Sequence, residues 1–296
     1  MKEKVRELLK EKNAIMLAHN YQLPEIQDTT DMCGDSLELS RKAARTDADI
    51  IVFCGVHFMA ETASILSPDK TVLLPQTDAG CEMADMITAE SLQEKIHSLP
   101  PMPVVTYVNS TAAVKALSTI CCTSANVVKI AESLDAAEIL MTPDRNLAKY
   151  AESRTGKKIH IWDGCCPYHD RLTPAQVAAA REEHPEAVFM AHPECRPEII
   201  AQADVVASTS GMIKHAQSAS ETEFIVGTEV GLLHTLNKQN PEKKFFPAAE
   251  ELLCPDMKKI TLADVANCLE NFSGEVKVPE ETRLPALAAV ERMIAI

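Results

Sequence analysis

The chain opens with a charged segment, Lys2 to Lys12, in which Val5, Leu8 and Leu9 recur at helical spacing. An apolar run from Ala14 to Ala18 follows and ends in His19-Asn20-Tyr21, the pattern of a buried strand that finishes in polar side chains. Gly34-Asp35-Ser36 then leads into a helical stretch, Leu37 to Arg45, and Asp49 to Cys54 and Thr71 to Leu74 are further buried-strand runs. Strand patterns alternating with helical ones predict a parallel sheet covered by helices. In such sheets the ligand crevice lies at the C-terminal ends of the strands. His19, Asn20 and Tyr21 fall there.

The pattern then recurs. Val104 to Thr106 ends in Tyr107-Val108-Asn109, and Ala187 to Ala191 ends in His192-Pro193-Glu194. Small hydroxyl residues open a helix after each: Ser36, then Thr123-Ser124, then Ser208-Thr209-Ser210. The intervals His19 to Ser36, Tyr107 to Ser124 and His192 to Thr209 are all 17 residues. Third strand runs lead to Gly55, to Pro143-Asp144 and to Gly227-Thr228-Glu229. A fourth element in each unit is followed by a cysteine, at Cys81, at Cys165-Cys166 and at Cys254. From Cys81 to Cys166 is 85 residues and from Cys166 to Cys254 is 88. Length alone suggests about two domains. The repeat replaces that with three homologous parallel-sheet α/β/α units about a pseudo-threefold axis, over residues 1–86, 87–171 and 172–296, the last with C-terminal helices. The final helix, around Leu284 to Ile296, is expected to pack back on the body, and Lys238 to Lys244 reads as a solvated loop.

Composition narrows the chemistry. Lys and Arg total 29 against 43 Asp and Glu, a net charge of −14, which argues against nucleic acid as a partner. Small anions stay possible, because helix N-termini hold them without net positive charge. Hydrophobic residues make up 46%, enough for a large core. No apolar run approaches the roughly 18 residues of a membrane span, and the charged start does not read as a secretory leader, so a cytoplasmic location is expected. Glycine is only 9 of 296, and neither G-x-G-x-x-G nor G-x-x-x-x-G-K-[ST] occurs. No H-E-x-x-H and no C-x-x-C occurs either, so a metal site must gather ligands from distant segments. Ten cysteines in a reducing compartment are free thiols, metal ligands or nucleophiles rather than staples.

Three cysteines meeting at a pseudo-threefold axis suit an iron–sulfur cluster with one iron left open, which acts as a Lewis acid. The repeat alone does not choose between Cys165 and Cys166. Cys195, after Glu194, could approach the same cavity, while Cys33, Cys54, Cys121, Cys122 and Cys268 read as packed interior residues. Three helix starts aimed at one cavity would favour a substrate with several acidic groups. His19, Tyr21, Tyr107, Asn109, His192 and Glu194 then supply donors and proton-transfer groups. Glu194 is the only carboxylate at the leading strand ends, which makes it the first choice for a base. A redox or iron sensor would carry a cluster without needing three anion sites, and a cluster-free lyase would keep cysteines for packing alone.

The segments His19-Asn20-Tyr21-Gln22, Gly34-Asp35-Ser36-Leu37, Val56-His57-Phe58-Met59-Ala60-Glu61, Tyr107-Val108-Asn109-Ser110-Thr111, Thr123-Ser124-Ala125-Asn126, Pro143-Asp144-Arg145-Asn146-Leu147, His192-Pro193-Glu194-Cys195, Gly227-Thr228-Glu229 and Cys254-Pro255-Asp256-Met257-Lys258 resemble the quinolinate synthase A family, in order and over nearly the whole chain. The resemblance implies condensation of iminoaspartate with dihydroxyacetone phosphate to quinolinate, with release of phosphate and water, for NAD biosynthesis. It implies one [4Fe–4S] cluster on Cys81, Cys166 and Cys254, the family's C-P-x-H arrangement selecting Cys166. His19, Ser36, Ser124, His192, Ser208 and Thr209 match positions that hold substrate carboxylates or phosphate. Tyr21, Tyr107 and Glu194 match acid–base groups, and Asn109 matches a hydrogen-bonding partner. The partners expected are those two substrates and, transiently, the aspartate-oxidising enzyme that supplies iminoaspartate, the chain itself being a monomer or homodimer.

Overall fold

A computed structural model describes residues 1–296. It contains three four-stranded sheets, and every strand pair in them is parallel. The first comprises β1 (Ala14–His19), β2 (Met32–Gly34), β3 (Ile50–Cys54) and β4 (Thr71–Leu73). The second comprises β5 (Val104–Tyr107), β6 (Ile120–Cys122), β7 (Glu138–Thr142) and β8 (Lys158–Ile161). The third comprises β9 (Val188–Ala191), β10 (Val205–Val206), β11 (Glu223–Gly227) and β12 (Lys244–Pro247). The strand orders are β2-β1-β3-β4, β6-β5-β7-β8 and β10-β9-β11-β12, one topology used three times.

In each sheet the leading strand lies between the second and the third, so connections leave it in both directions. That switch point is where parallel α/β sheets open a crevice. The register explains the interval read from the sequence. His19 pairs with Gly34, Tyr107 with Cys122 and Ala191 with Val206, a separation of 15 residues in each unit. The polar residues past the paired ends therefore come out side by side.

Burial is what commits these segments. All five residues of β3 are buried, as a strand covered on both faces requires. Phe189 and Ile225 of the third sheet are fully enclosed with Cys195 and Ile199, and each large side chain so buried contributes roughly 1.5–3 kcal/mol. The C-terminal helix, Glu280–Ala295, packs on the His57–Leu66 and Ala112–Ala116 helices and on β6, joining the first two units. No helix is long and apolar enough to cross a membrane.

Two local expectations are revised, and three short strands add to what the sequence shows. The short strands β2, β6 and β10 carry no sequence periodicity, yet each completes its sheet. The hydroxyl pair Thr123-Ser124 does not open a helix directly. Asn126 Oδ1 accepts from Thr123 N at 2.8 Å and turns the chain first, and the helix runs from Val127 to Ser133. Lys238 to Lys244 is not a free loop: the preceding helix continues to Gln239, Asn240 is buried, and Lys243 donates to the carbonyls of Ala216 and Ala219.

Candidate functional site

The three switch points face one central cavity. The leading strands deliver His19 and Tyr21, Tyr107 and Asn109, and His192 and Glu194; the second strands deliver Ser36, Ser124 and Thr209; the fourth elements deliver Cys81, Cys166 and Cys254. Every candidate site residue from the sequence lines this cavity except Ser208 and Cys195. Ser208 caps the Thr209–Ser218 helix: its hydroxyl accepts from Gly211 N at 3.2 Å and donates to Asp35 Oδ2 at 3.1 Å. It faces a separate outer groove.

The helix starts are also less free than the sequence suggests. Asp35 Oδ1 accepts from Leu37 N and Glu38 N at 3.1 and 3.0 Å, filling the first-turn donors of the Ser36–Ala43 helix with the protein's own carboxyl. At that helix the cavity therefore receives the Ser36 hydroxyl rather than a bare helix end. Thr209 is oriented from outside its own unit, since Asn20 Nδ2 donates to its Oγ1 at 2.8 Å.

A line of hydrogen bonds crosses the site. Glu194 Oε2 lies 2.8 Å from His169 Nδ1, His169 Nε2 lies 2.8 Å from Thr228 Oγ1, and Thr228 Oγ1 lies 2.5 Å from the Tyr21 hydroxyl. His192 stacks on His169 with ring centroids 4.7 Å apart, and its Nδ1 is 3.3 Å from the same Glu194 oxygen. Its Nε2 meets Ser124 Oγ at 3.2 Å, which ties the second unit to the third. Burial would push the Glu194 carboxyl up, but His192 and His169 outweigh it and hold the group well below the usual range. The carboxylate is thus ionised inside an enclosed site. Burial, then the Glu194 charge, push both Tyr21 and Tyr107 well above the ordinary phenol value, so both hydroxyls stay protonated and can donate. Burial, then His192, bring His19 down to about 3, so its ring is neutral near pH 7.

The thiols form a donor set without a counter-charge. Burial raises Cys81 to about 12 and Cys254 to about 11, and burial with the Glu194 field pushes Cys166 well up. Each thiol has help for a negative sulfur close by: backbone N–H groups of Met83 and Ala84 at Cys81, of His169 at Cys166, and of Asp256 and Met257 at Cys254. Three soft donors lining one cavity, with backbone N–H groups beside each sulfur, fit an iron–sulfur group whose positive metal supplies the missing charge. Cys166 Sγ, His169 Nδ1 and a Glu194 carboxylate oxygen also lie within 4.8 Å of one another. In that subset the imidazole is already committed to Glu194 and Thr228.

Cys165 does not line the cavity, which leaves Cys166 as the inward member of the pair. Cys195 is fully buried behind Glu194, with its Sγ 3.5 Å from the Gly227 carbonyl, and does not reach the cavity. Cys54, Cys121, Cys122 and Cys268 are interior; Cys33 is half-buried against Asn20 Oδ1 at 3.3 Å.

Sequence patterns do not single out His169, Thr228, Glu229 and Lys258 as site residues, although all four stand inside the quoted segments or the C-P-x-H arrangement. Glu229 Oε1 pairs with Lys258 Nζ at 2.7 Å and accepts from Cys254 N at 3.2 Å. Lys258 also donates to the Tyr21 carbonyl. One ion pair thereby links a cysteine of the third unit to a tyrosine of the first. Gly231 makes room for it: a Cβ there would stand 2.6 Å from Lys258 Nζ and 2.8 Å from the Tyr21 carbonyl oxygen.

Comparison with known proteins bears on the same geometry. A family model described as quinolinate synthetase A protein matches residues 3–295. A protein of Geotalea uraniireducens (strain Rf4) named quinolinate synthase is 54% identical over 296 residues, covering 100% of this chain and 97% of its own. A protein of the same name from Geobacter sp. (strain M21) is 53% identical over the same span, with the same coverage. Another from Methanosarcina barkeri (strain Fusaro / DSM 804) is 52% identical over 294 residues, covering 99% of this chain and 97% of its own. With three parallel sheets around one cavity and a match along its whole length, the chain belongs to the quinolinate synthetase A protein family.

Proposed function

We propose that this cavity condenses iminoaspartate with dihydroxyacetone phosphate to form quinolinate, with phosphate and water leaving. The observation that carries the reading is the line from the ionised Glu194 through His169 and Thr228 to Tyr21, running beside three convergent thiols. Ring closure between an enamine and a keto phosphate needs several proton transfers at neighbouring atoms, and a general base joined to a general acid supplies them.

Cys81, Cys166 and Cys254 would hold one [4Fe–4S] cluster. When bound, it supplies an open iron that polarises a substrate oxygen or nitrogen. Glu194 takes a proton from substrate carbon or nitrogen. His169 stabilises the changing charge on Glu194 and passes a hydrogen bond through Thr228, so that the Tyr21 hydroxyl can give its proton to a leaving oxygen. Tyr107, also protonated, donates from the second unit. Asn109 Oδ1 is buried without a partner, as suits an acceptor awaiting a substrate N–H. Neutral His19, with the hydroxyls of Ser36, Ser124 and Thr209, binds the carboxylates and phosphate as a hydrogen-bond donor, while His192 sits between Glu194 and Ser124 and orients the Ser124 hydroxyl. Closing these groups away from bulk water protects an imine from hydrolysis. The source of that imine is a separate enzyme that oxidises aspartate, met transiently, and a reducing cytoplasm suits the free thiols.

The test is anaerobic purification followed by assay with both substrates. A brown protein with about four irons per chain that makes quinolinate is expected. Cys81→Ala, Cys166→Ala and Cys254→Ala each lose colour and activity, whereas Cys165→Ala keeps both. A colourless, iron-free protein with full activity would overturn the cluster's role. Loss of the cluster from Cys165→Ala would overturn the choice of ligand. A coloured protein that bears the cluster without turnover would favour the sensor reading.

A further inference from the structure

Lys115 is fully buried, and the chemistry of the cavity gives it no task. It stands in the short Ala112–Ala116 helix, where an isolated lysine in a run of small residues ordinarily points to water. Its Nζ instead donates to the Ser110 carbonyl and lies 5.6 Å from the centroid of the Phe58 ring. Glu61, then Cys121 and Cys81, oppose through space the fall in pKa that burial causes, while Glu61 Oε2 itself accepts from Ala112 N at 2.9 Å. Burying an ammonium without a contacting carboxylate costs more than a methionine of matching length would forfeit by leaving the Ser110 carbonyl unpaired. Fold stability therefore does not account for the lysine.

Its partners do. Ser110 closes the turn that follows β5. Ser110 N donates to the Val108 carbonyl at 2.8 Å, Ser110 Oγ donates to the Tyr107 carbonyl at 3.0 Å, and Val108 N donates to the Cys122 carbonyl at 3.0 Å. Between Tyr107 and Ser110 stands Asn109, the cavity residue with the orphaned oxygen. Phe58 and Glu61 belong to the His57–Leu66 helix of the first unit, so the lysine lies where that helix meets the turn of the second. Within the Val56 to Glu61 segment, Phe58 and Glu61 take part in this junction.

We propose that Lys115 is a positioning residue: braced by Phe58 and Glu61 of the first unit, it fixes the turn that aims the Tyr107 hydroxyl and the Asn109 amide at the substrate. The inference rests on the quinolinate-forming reading of the cavity. Wild-type holoenzyme that makes no quinolinate would sink that reading, whatever Lys115 does.

The test is Lys115→Met in anaerobically prepared holoenzyme, with steady-state kinetics, melting temperature and visible absorbance of the cluster. The variant should melt at or above the wild-type temperature, keep the absorbance and lose about 10–100-fold in kcat/KM, the size expected of a misplaced catalytic group. A structural role would lower melting temperature and activity together. In an Asn109→Ala background the same substitution should cost less than about threefold, because residues that act through one turn are not additive. Unchanged kcat/KM, full additivity with Asn109→Ala, or a methionine variant that fails to fold would each overturn the proposal.

Discussion

Replacing Glu194 by glutamine leaves the shape of the site and removes its base. The carboxylate is 3% exposed and shares one oxygen between His169 at 2.8 Å and His192 at 3.3 Å. Hydrogen bonds to an ionised group are worth about 1.5–3 kcal/mol each, and both weaken when the acceptor becomes a neutral amide. Against this, the variant no longer pays to bury a charge. Net stability should therefore change by no more than about 1–2 kcal/mol, well short of unfolding. Activity should not be spared in the same way. A positioned base contributes about 10²- to 10⁴-fold, or about 3–5 kcal/mol of barrier at 1.36 kcal/mol per tenfold. Single-turnover formation of quinolinate under anaerobic conditions, with iron content measured on the same sample, reads the effect on chemistry apart from cluster loss. The expected result is full iron content with a rate about 10²- to 10⁴-fold lower. A rate within about threefold of wild type at full iron content would refute the assignment of Glu194 as base.

Two further outcomes follow from other positions. Ser208→Ala removes an N-cap and should cost about 1 kcal/mol in urea denaturation while quinolinate formation stays near wild type; a large loss of activity without loss of stability would return Ser208 to the site. His19 is depressed from 6.5 to about 3, so its contribution is intact above pH 6.5 and is lost as falling pH lets the unfolded chain take up a proton the folded one refuses. Between about pH 7 and pH 5 that loss is about 2 kcal/mol, and His19→Asn should lack it, with equal pH dependence of the two proteins as the refuting result.

The repeat is legible in the sequence because parallel strands buried on both faces leave short, dense apolar runs, and because equal register produces equal spacing. His19, Tyr107 and His192 align by spacing alone, and with them the cavity. The edge strands do not. Met32–Gly34 and Val205–Val206 are too short for periodicity, and they exist because a neighbouring strand offers them a ladder. Ser208 reads as a ligand-binding residue in the sequence because a capping serine looks identical until the direction of its hydroxyl is known. Lys115 is invisible there for the opposite reason: its local pattern is ordinary, and its burial depends on a helix about fifty residues nearer the N-terminus. Glu229 and Lys258 pair across 29 positions, which no local pattern encodes.

The threefold topology also bears on how one small cavity can treat three sides of a substrate differently. Three identical chains about a true axis would place the same side chain at every equivalent point and would present a symmetric pocket to an asymmetric reaction. Linking the units in one polypeptide frees each equivalent position to diverge. At the strand ends His19 and His192 face Tyr107, and two residues on stand Tyr21, Asn109 and Glu194: a hydroxyl, an amide and a carboxylate where symmetry would demand one kind. The scaffold keeps the economy of a repeated unit, while the reactants meet a left, a right and a centre.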